Sequence, residues 1–197
     1  QREDPANKLL QHMPIRRLDA EAVRDHILAS SGELNHTLYG PSISAFVADL
    51  PNSREKPPIS GPIDGQGRRS IYLEMRRNYL PSFLTAFDLP NATESVGERH
   101  STNVPAQSLA LLNDPFVHEQ AQYWATKTLA LPFSDEARIN HLHLVAFGRP
   151  ASPAEITWAQ SLLTAMAEAH ETTVDSLAPW TDLCHLMFNR KEFIYVQ

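Results

Sequence analysis

Prolines in this chain stand at the starts of apolar periods, and that placement limits the fold more than any other feature. Asp114-Pro115 precedes Val117, Ala121, Trp124 and Thr128, and Ser152-Pro153-Ala154-Glu155 precedes Ile156, Ala159, Leu163 and Met166. Proline fixes φ and has no backbone N–H. It therefore suits the first turn of a helix, where that N–H has no intrahelical partner. The second word is also a capping box: the Ser hydroxyl takes a backbone N–H of the first turn, and the Glu carboxylate reaches back to cap the Ser N–H. With 15 prolines against 7 glycines, the chain is predicted to be helices joined by defined corners.

Further boundaries follow from the same logic. Asp19 to Ser31 forms a first helix with Asp19 as N-cap, Val23 and Ile27 on one face, and Gly32 as the stop. Residues 49–67 hold Pro51, Pro57, Pro58, Pro62, Gly61, Gly65 and Gly67, and are expected to be a long flexible loop. Residues 70–79 fit two periods. Ile71, Leu73 and Met75 alternate as in a strand, while Tyr72, Met75 and Tyr79 fit a helix. After Pro81, Leu80, Phe83, Leu84 and Phe87 have helical spacing. A short helix runs from Val104 or Pro105 to Asn113, capped by Thr102 or Asn103, and the Asp114 helix follows it to about Ala130. Ser134 caps a helix with Ile139, Leu142 and Val145 or Ala146 inward, ending at Gly148. The Ser152 helix reaches about His170, and a last one starts at Pro179 with Trp180, Leu183, Cys184 and Met187 inward. The expected fold is mainly α: a single-domain helical bundle over 1–197, with at most a minor strand element. From residue 104 onward its helices should pack as antiparallel neighbours.

The centre of the chain is rich in arginine. Arg68-Arg69-Ser70-Ile71-Tyr72 and Arg76-Arg77 lead to Asp88, then to Arg99-His100-Ser101-Thr102-Asn103, Gln107, Asn113 and Asp114. The 13 arginines outnumber 4 lysines. A guanidinium is a planar fork suited to carboxylates and carbonyls, so these arginines are expected to tie the first helix to the bundle. In the alternative reading, Arg69, Arg77, Asp88, Arg99, Thr102, Gln107 and Asn113 line a pocket for a polysaccharide or another anionic ligand.

Other chemistries find little support. Gly40-Pro41-Ser42-Ile43-Ser44 lacks the second glycine of a nucleophile elbow. Gly65-Gln66-Gly67 matches no phosphate loop and reads as a flexible turn. His141 and His143, two apart on a helix, face different ways, and no word in the chain attaches haem covalently. No metal or other cofactor is therefore expected in this chain, although one histidine could serve a remote haem. Cys184 lies on an apolar helix face and reads as structural. A net charge of −6 argues against a nucleic-acid partner. No run reaches the roughly 18 apolar residues of a membrane span, so no membrane insertion is expected. Gln1 is no initiator, and the chain is expected to begin at or inside a domain edge.

Several words together resemble one family. They are Arg16-Arg17-Leu18-Asp19-Ala20-Glu21, Ser31-Gly32-Glu33-Leu34, Gly40-Pro41-Ser42, Arg68-Arg69-Ser70-Ile71-Tyr72 and Phe87-Asp88-Leu89-Pro90, then Arg99-His100-Ser101-Thr102, Gln107-Ser108-Leu109, Leu112-Asn113-Asp114, Phe147-Gly148-Arg149-Pro150 and Glu192-Phe193-Ile194-Tyr195-Val196. In this order the chain resembles the Planctomycete-Specific Domain One family, whose function is unknown. The resemblance implies a place towards the C-terminus of a large exported protein, in an extracytoplasmic setting. Its partners would be sister domains of the same polypeptide, including a cytochrome c module that carries haem c elsewhere in the parent. No catalytic residues come with the family. The implied role is a non-catalytic interaction or scaffolding domain; the alternative is a ligand-binding or hydrolytic module built on the arginine pocket.

Overall fold

The computed structural model describes residues 7–9, 11, 13–46, 60–77, 80–91, 93 and 95–196. It is mainly helical. In chain order the elements are β1 (Arg16–Arg17), α1 (Ala20–Ser31), α2 (Ser82–Ala86), α3 (Pro105–Asn113), α4 (Pro115–Leu129), α5 (Asp135–Phe147), α6 (Pro153–Ala169), α7 (Leu177–Phe188), α8 (Lys191–Ile194) and β2 (Tyr195–Val196). The regular sheet among the described residues is a two-strand antiparallel ribbon, with Arg16 opposite Val196 and Arg17 opposite Tyr195. Of the 49–67 stretch, residues 49–59 lie outside the described residues, as does Tyr79 of the helical alternative for 70–79.

Local signals set most helix ends. Gly32 and Gly148 stop α1 and α5 in the left-handed region, at φ 72° and 68°. The Asp114 carboxylate accepts the Phe116 N–H, and the Ser152–Glu155 box is closed from both sides. Two caps differ from the sequence reading. Val104, not Thr102 or Asn103, occupies the N-cap of α3 and has no side-chain acceptor to offer, while the Thr102 hydroxyl is engaged with Asp88. α7 starts after Ser176, so Pro179 is its third residue rather than its first; no N–H in a first turn needs an intrahelical partner, and proline is tolerated there.

The core lies where α1, α4, α6 and α7 meet. α4 packs most extensively on α7, α6 also packs on α7, and α1 rests on α4. Val117, Ala121, Trp124 and Thr128 of α4 are buried, as the period requires. Trp124 stacks on Phe188 with centroids 5.1 Å apart, and Phe188 meets Phe193 edge-on at 5.1 Å. Trp180, fully buried, donates its indole N–H to Val174 O at 3.0 Å. Cys184 is buried in the same layer, and burial pushes its thiol well above the usual range.

Gly65-Gln66-Gly67 is packed. All three residues have positive φ (58°, 56° and 68°), and both glycines are buried. The turn is closed by the Gly67 N–H on Asp64 O and the Arg68 N–H on Gly65 O, both at 3.1 Å. It places Gly67 so close to α1's exit that a Cβ there would overlap the Glu33 carbonyl oxygen. Gly67→Ala therefore adds a clash to a left-handed backbone and should cost about 2–3 kcal/mol, read as a lower urea midpoint with unchanged slope.

Candidate functional site

Three of the sequence-predicted site residues meet in one knot: Asp88, Thr102 and Gln107. α2 ends in a left-handed turn at Asp88 (φ 63°), closed by the Leu89 N–H on Leu84 O at 3.1 Å. The Asp88 carboxylate accepts the Thr102 N–H at 2.8 Å and the Thr102 hydroxyl at 2.9 Å. Gln107 Nε2 donates to Thr102 O at 3.2 Å. The organising residue is Arg17, which the sequence reading quoted only among the words of the family resemblance. One guanidinium nitrogen donates to Asp88 Oδ2 at 2.7 Å and to Phe87 O at 3.1 Å, and the other to Thr102 O at 2.7 Å. Arg17 is only 6% exposed, on the inward side of β1. Its alternation with exposed Arg16 beside Leu18 was the available signal. Burial by itself would raise the Asp88 pKa, but the Thr102 and Arg17 bonds outweigh it and hold the carboxylate below its ordinary value.

A second knot joins α1 to the middle of the chain. Buried Arg24 donates to Arg68 O at 2.9 Å, Ser70 Oγ at 3.1 Å and Asp64 O at 2.5 Å. Asp25 Oδ1 accepts both the N–H and the hydroxyl of Ser70 at 2.7 Å. Arg68 lies over the Tyr72 ring, 4.0 Å from its centroid, and donates to the carbonyls of Tyr39 at 2.7 Å and Thr37 at 3.3 Å. These three interior arginines engage mainly carbonyls, which no charge pattern in a sequence reveals.

Of the remaining predicted residues, Arg99 shares a cavity of about 280 Å³ with Asp88 and His100, and the others lie apart from the knot. Arg99 forms a two-pronged pair with Glu21 at 2.7 and 2.9 Å. Arg69 is half exposed, and its nearest acid is Asp25 at 3.7 Å. Both line a groove beside α1. Arg77 is exposed, and Asn113 donates to Leu109 O within α3. Neither belongs to the knots or lines the groove.

The sequence reading missed a third polar cluster. Glu155 of the capping box also receives Arg149 at 2.8 and 2.9 Å and Arg190 at 2.8 Å, while Arg149 reaches Glu192 at 2.6 and 2.7 Å. His143, 1% exposed, turns Nδ1 to Ile139 O at 3.0 Å and has Nε2 3.9 Å from Glu155. Arg149 depresses the Glu155 and Glu192 pKa values, and Arg99 depresses that of Glu21. An acid whose pKa is lowered by folding stabilises the fold above its unfolded value, near 4.5, and that stability is lost as pH falls through the folded value. His26 is stacked on Phe193 at 4.1 Å and held low by burial, so it opposes folding once pH drops below the unfolded value near 6.5. Chemical denaturation across pH should show stability level above about pH 6.5, declining modestly below it, then falling steeply below about pH 4.5.

Among the described residues no three His, Cys, Asp or Glu side chains are grouped to hold a metal ion. No helix there is long and apolar enough to cross a membrane. The knots suit fixing backbone segments, with their hydrogen-bonding groups directed at one another. A family model described as PSD1, protein of unknown function (DUF1553), matches residues 1–163. No curated protein and no solved structure matches the chain.

Proposed function

This chain belongs to the PSD1 family of unknown function, and from that premise we propose that it is a non-catalytic docking domain of a larger exported protein, bound to sister domains that include a cytochrome c module. The observation that carries this reading is the closed Arg17–Asp88–Thr102–Gln107 knot. Asp88 does line a cavity of about 280 Å³ with Arg99 and His100, but the hydrogen-bonding groups of the knot are engaged with each other and with nearby carbonyls rather than left free for a substrate. The resemblance supplies the exported setting, the sister domains and the cytochrome.

The test mixes purified chain 1–197 with the separately purified remainder of its parent polypeptide and follows complex formation by calorimetry. A one-to-one complex with Kd in the micromolar range, about −8 kcal/mol, is expected. No heat and no co-elution at about 100 μM of each part would contradict the reading.

A further inference from the structure

Just beyond α1 the chain reads Glu33-Leu34-Asn35-His36-Thr37. An asparagine followed at the second place by Ser or Thr, with no proline between, is the acceptor word for N-linked sugar, and it needs a surface loop. Here it opens a loop in which residues 35–42 are all exposed. The backbone of Asn35 is anchored, with its N–H on Gly67 O at 2.8 Å. Its side chain points outward. Oδ1 accepts the Thr37 N–H at 2.9 Å, which orients the amide, and among the described residues Nδ2 makes no hydrogen bond. The Nδ2 groups of Asn113, Asn140 and Asn189 instead donate to helix carbonyls. Replacing one Nδ2 proton by a sugar would break those bonds, whereas at Asn35 it breaks none.

The neighbours of Asn35 are equally accessible. Arg68 holds the loop through the carbonyls of Thr37 and Tyr39, and among the described residues the Thr37 hydroxyl makes no hydrogen bond. Glu33, two places before Asn35, meets half-exposed Lys127 at 2.7 Å. An ion pair at the surface gives way at little cost. The freed carboxylate would offer an enzyme's guanidinium a two-pronged hold. A second word of the same form, Asn91-Ala92-Thr93, has Leu89 in the place of Glu33 and offers no such hold.

We propose that Asn35 is a glycan acceptor, modified by a transferase that grips the Thr37 hydroxyl and the Glu33 carboxylate and uses a polyprenyl-pyrophosphate-linked sugar. The Nδ2 nitrogen forms a bond to the anomeric carbon of that sugar. The bond from this carbon to the pyrophosphate oxygen breaks, its electron pair leaves with the lipid pyrophosphate, and one Nδ2 proton passes to a base of the transferase. The exported setting is taken from the reading above; the acceptor geometry does not depend on it. Folded chain 1–197 is incubated with a purified bacterial oligosaccharyltransferase and polyprenyl-pyrophosphate-linked N-acetylhexosamine, and its peptides are weighed by mass spectrometry. The sugar is expected on the peptide that carries Asn35 and not on the one that carries Asn91. Asn35→Gln and Thr37→Ala should abolish transfer, and Glu33→Gln should slow it at least about tenfold. None of these three side chains is buried, so thermal melts should stay unchanged. The parent protein purified from its own cells should carry a glycan at Asn35. No transfer to the folded chain, transfer only after unfolding in urea, transfer to Asn91 in its place, or transfer that survives Thr37→Ala overturns the proposal. So does a bare Asn35 in the parent protein. If the calorimetric complex forms while Asn35 stays bare, the acceptor site fails and the docking reading stands.

Discussion

Truncation after residue 163 should abolish cooperative folding, although the family match ends there. The cut falls inside α6, which runs Pro153–Ala169. It removes Trp180, Leu183, Met187, Phe188, Phe193 and Ile194, all of them buried. At about 1.5–3 kcal/mol for each large apolar side chain, the loss is about 10 kcal/mol, comparable with the entire stability of a typical domain. It also removes β2, whose pairing with β1 sets Arg17 in register, and the Leu18 N–H bond to Ile194 O at 2.8 Å. The exposed faces of α4 and α6 would then favour aggregation. A broad, non-cooperative melt by circular dichroism and collapsed proton NMR dispersion are expected of 1–163. A sharp transition would show that α7 and the ribbon are accessories.

Arg24→Lys should cost about 3 kcal/mol, despite preserving the charge. The guanidinium of Arg24 spans three acceptors on residues 64, 68 and 70, and its side chain is 5% exposed. A lysine ammonium cannot present parallel donors to all of them, so at least one buried carbonyl loses its partner. In a chain of this size the melting temperature should fall by about 10 °C. A change below about 0.5 kcal/mol, within the range of ordinary surface substitutions, would mean that the carbonyls are satisfied another way.

Helix starts were legible because their signals are local. Asp114-Pro115 and Ser152 to Glu155 carry both the cap and the fixed φ within four residues, and each opens a helix where the period begins. Residues 70–79 resisted assignment for a physical reason: each of two short-range patterns governs part of the segment. Ser70–Tyr72 is a 3-10 turn that takes in Ile71, and only Leu73 and Met75 of the alternating set lie in the stretch that follows, where Leu73 bridges Ile43. The candidate site was half legible. Asp88, Thr102 and Gln107 do cluster, but the residue that joins them, Arg17, stands 71 positions from Asp88. Arg68 was singled out as part of an arginine pair, yet its loop carbonyl partners carry no side-chain signature. The Glu155 cluster escaped because a capping glutamate has a sufficient local explanation, which hid its contacts with Arg149 and Arg190.

That interior guanidinium groups fasten the segments of this fold is tested most directly by nitrogen-detected NMR of the arginine side chains. The Nη protons of Arg17, Arg24 and Arg68 should appear as separate, slowly exchanging signals. Those of half-exposed Arg69 and exposed Arg77 should be averaged by rotation and solvent exchange. Averaged, fast-exchanging signals from Arg17, Arg24 and Arg68 as well would contradict the account.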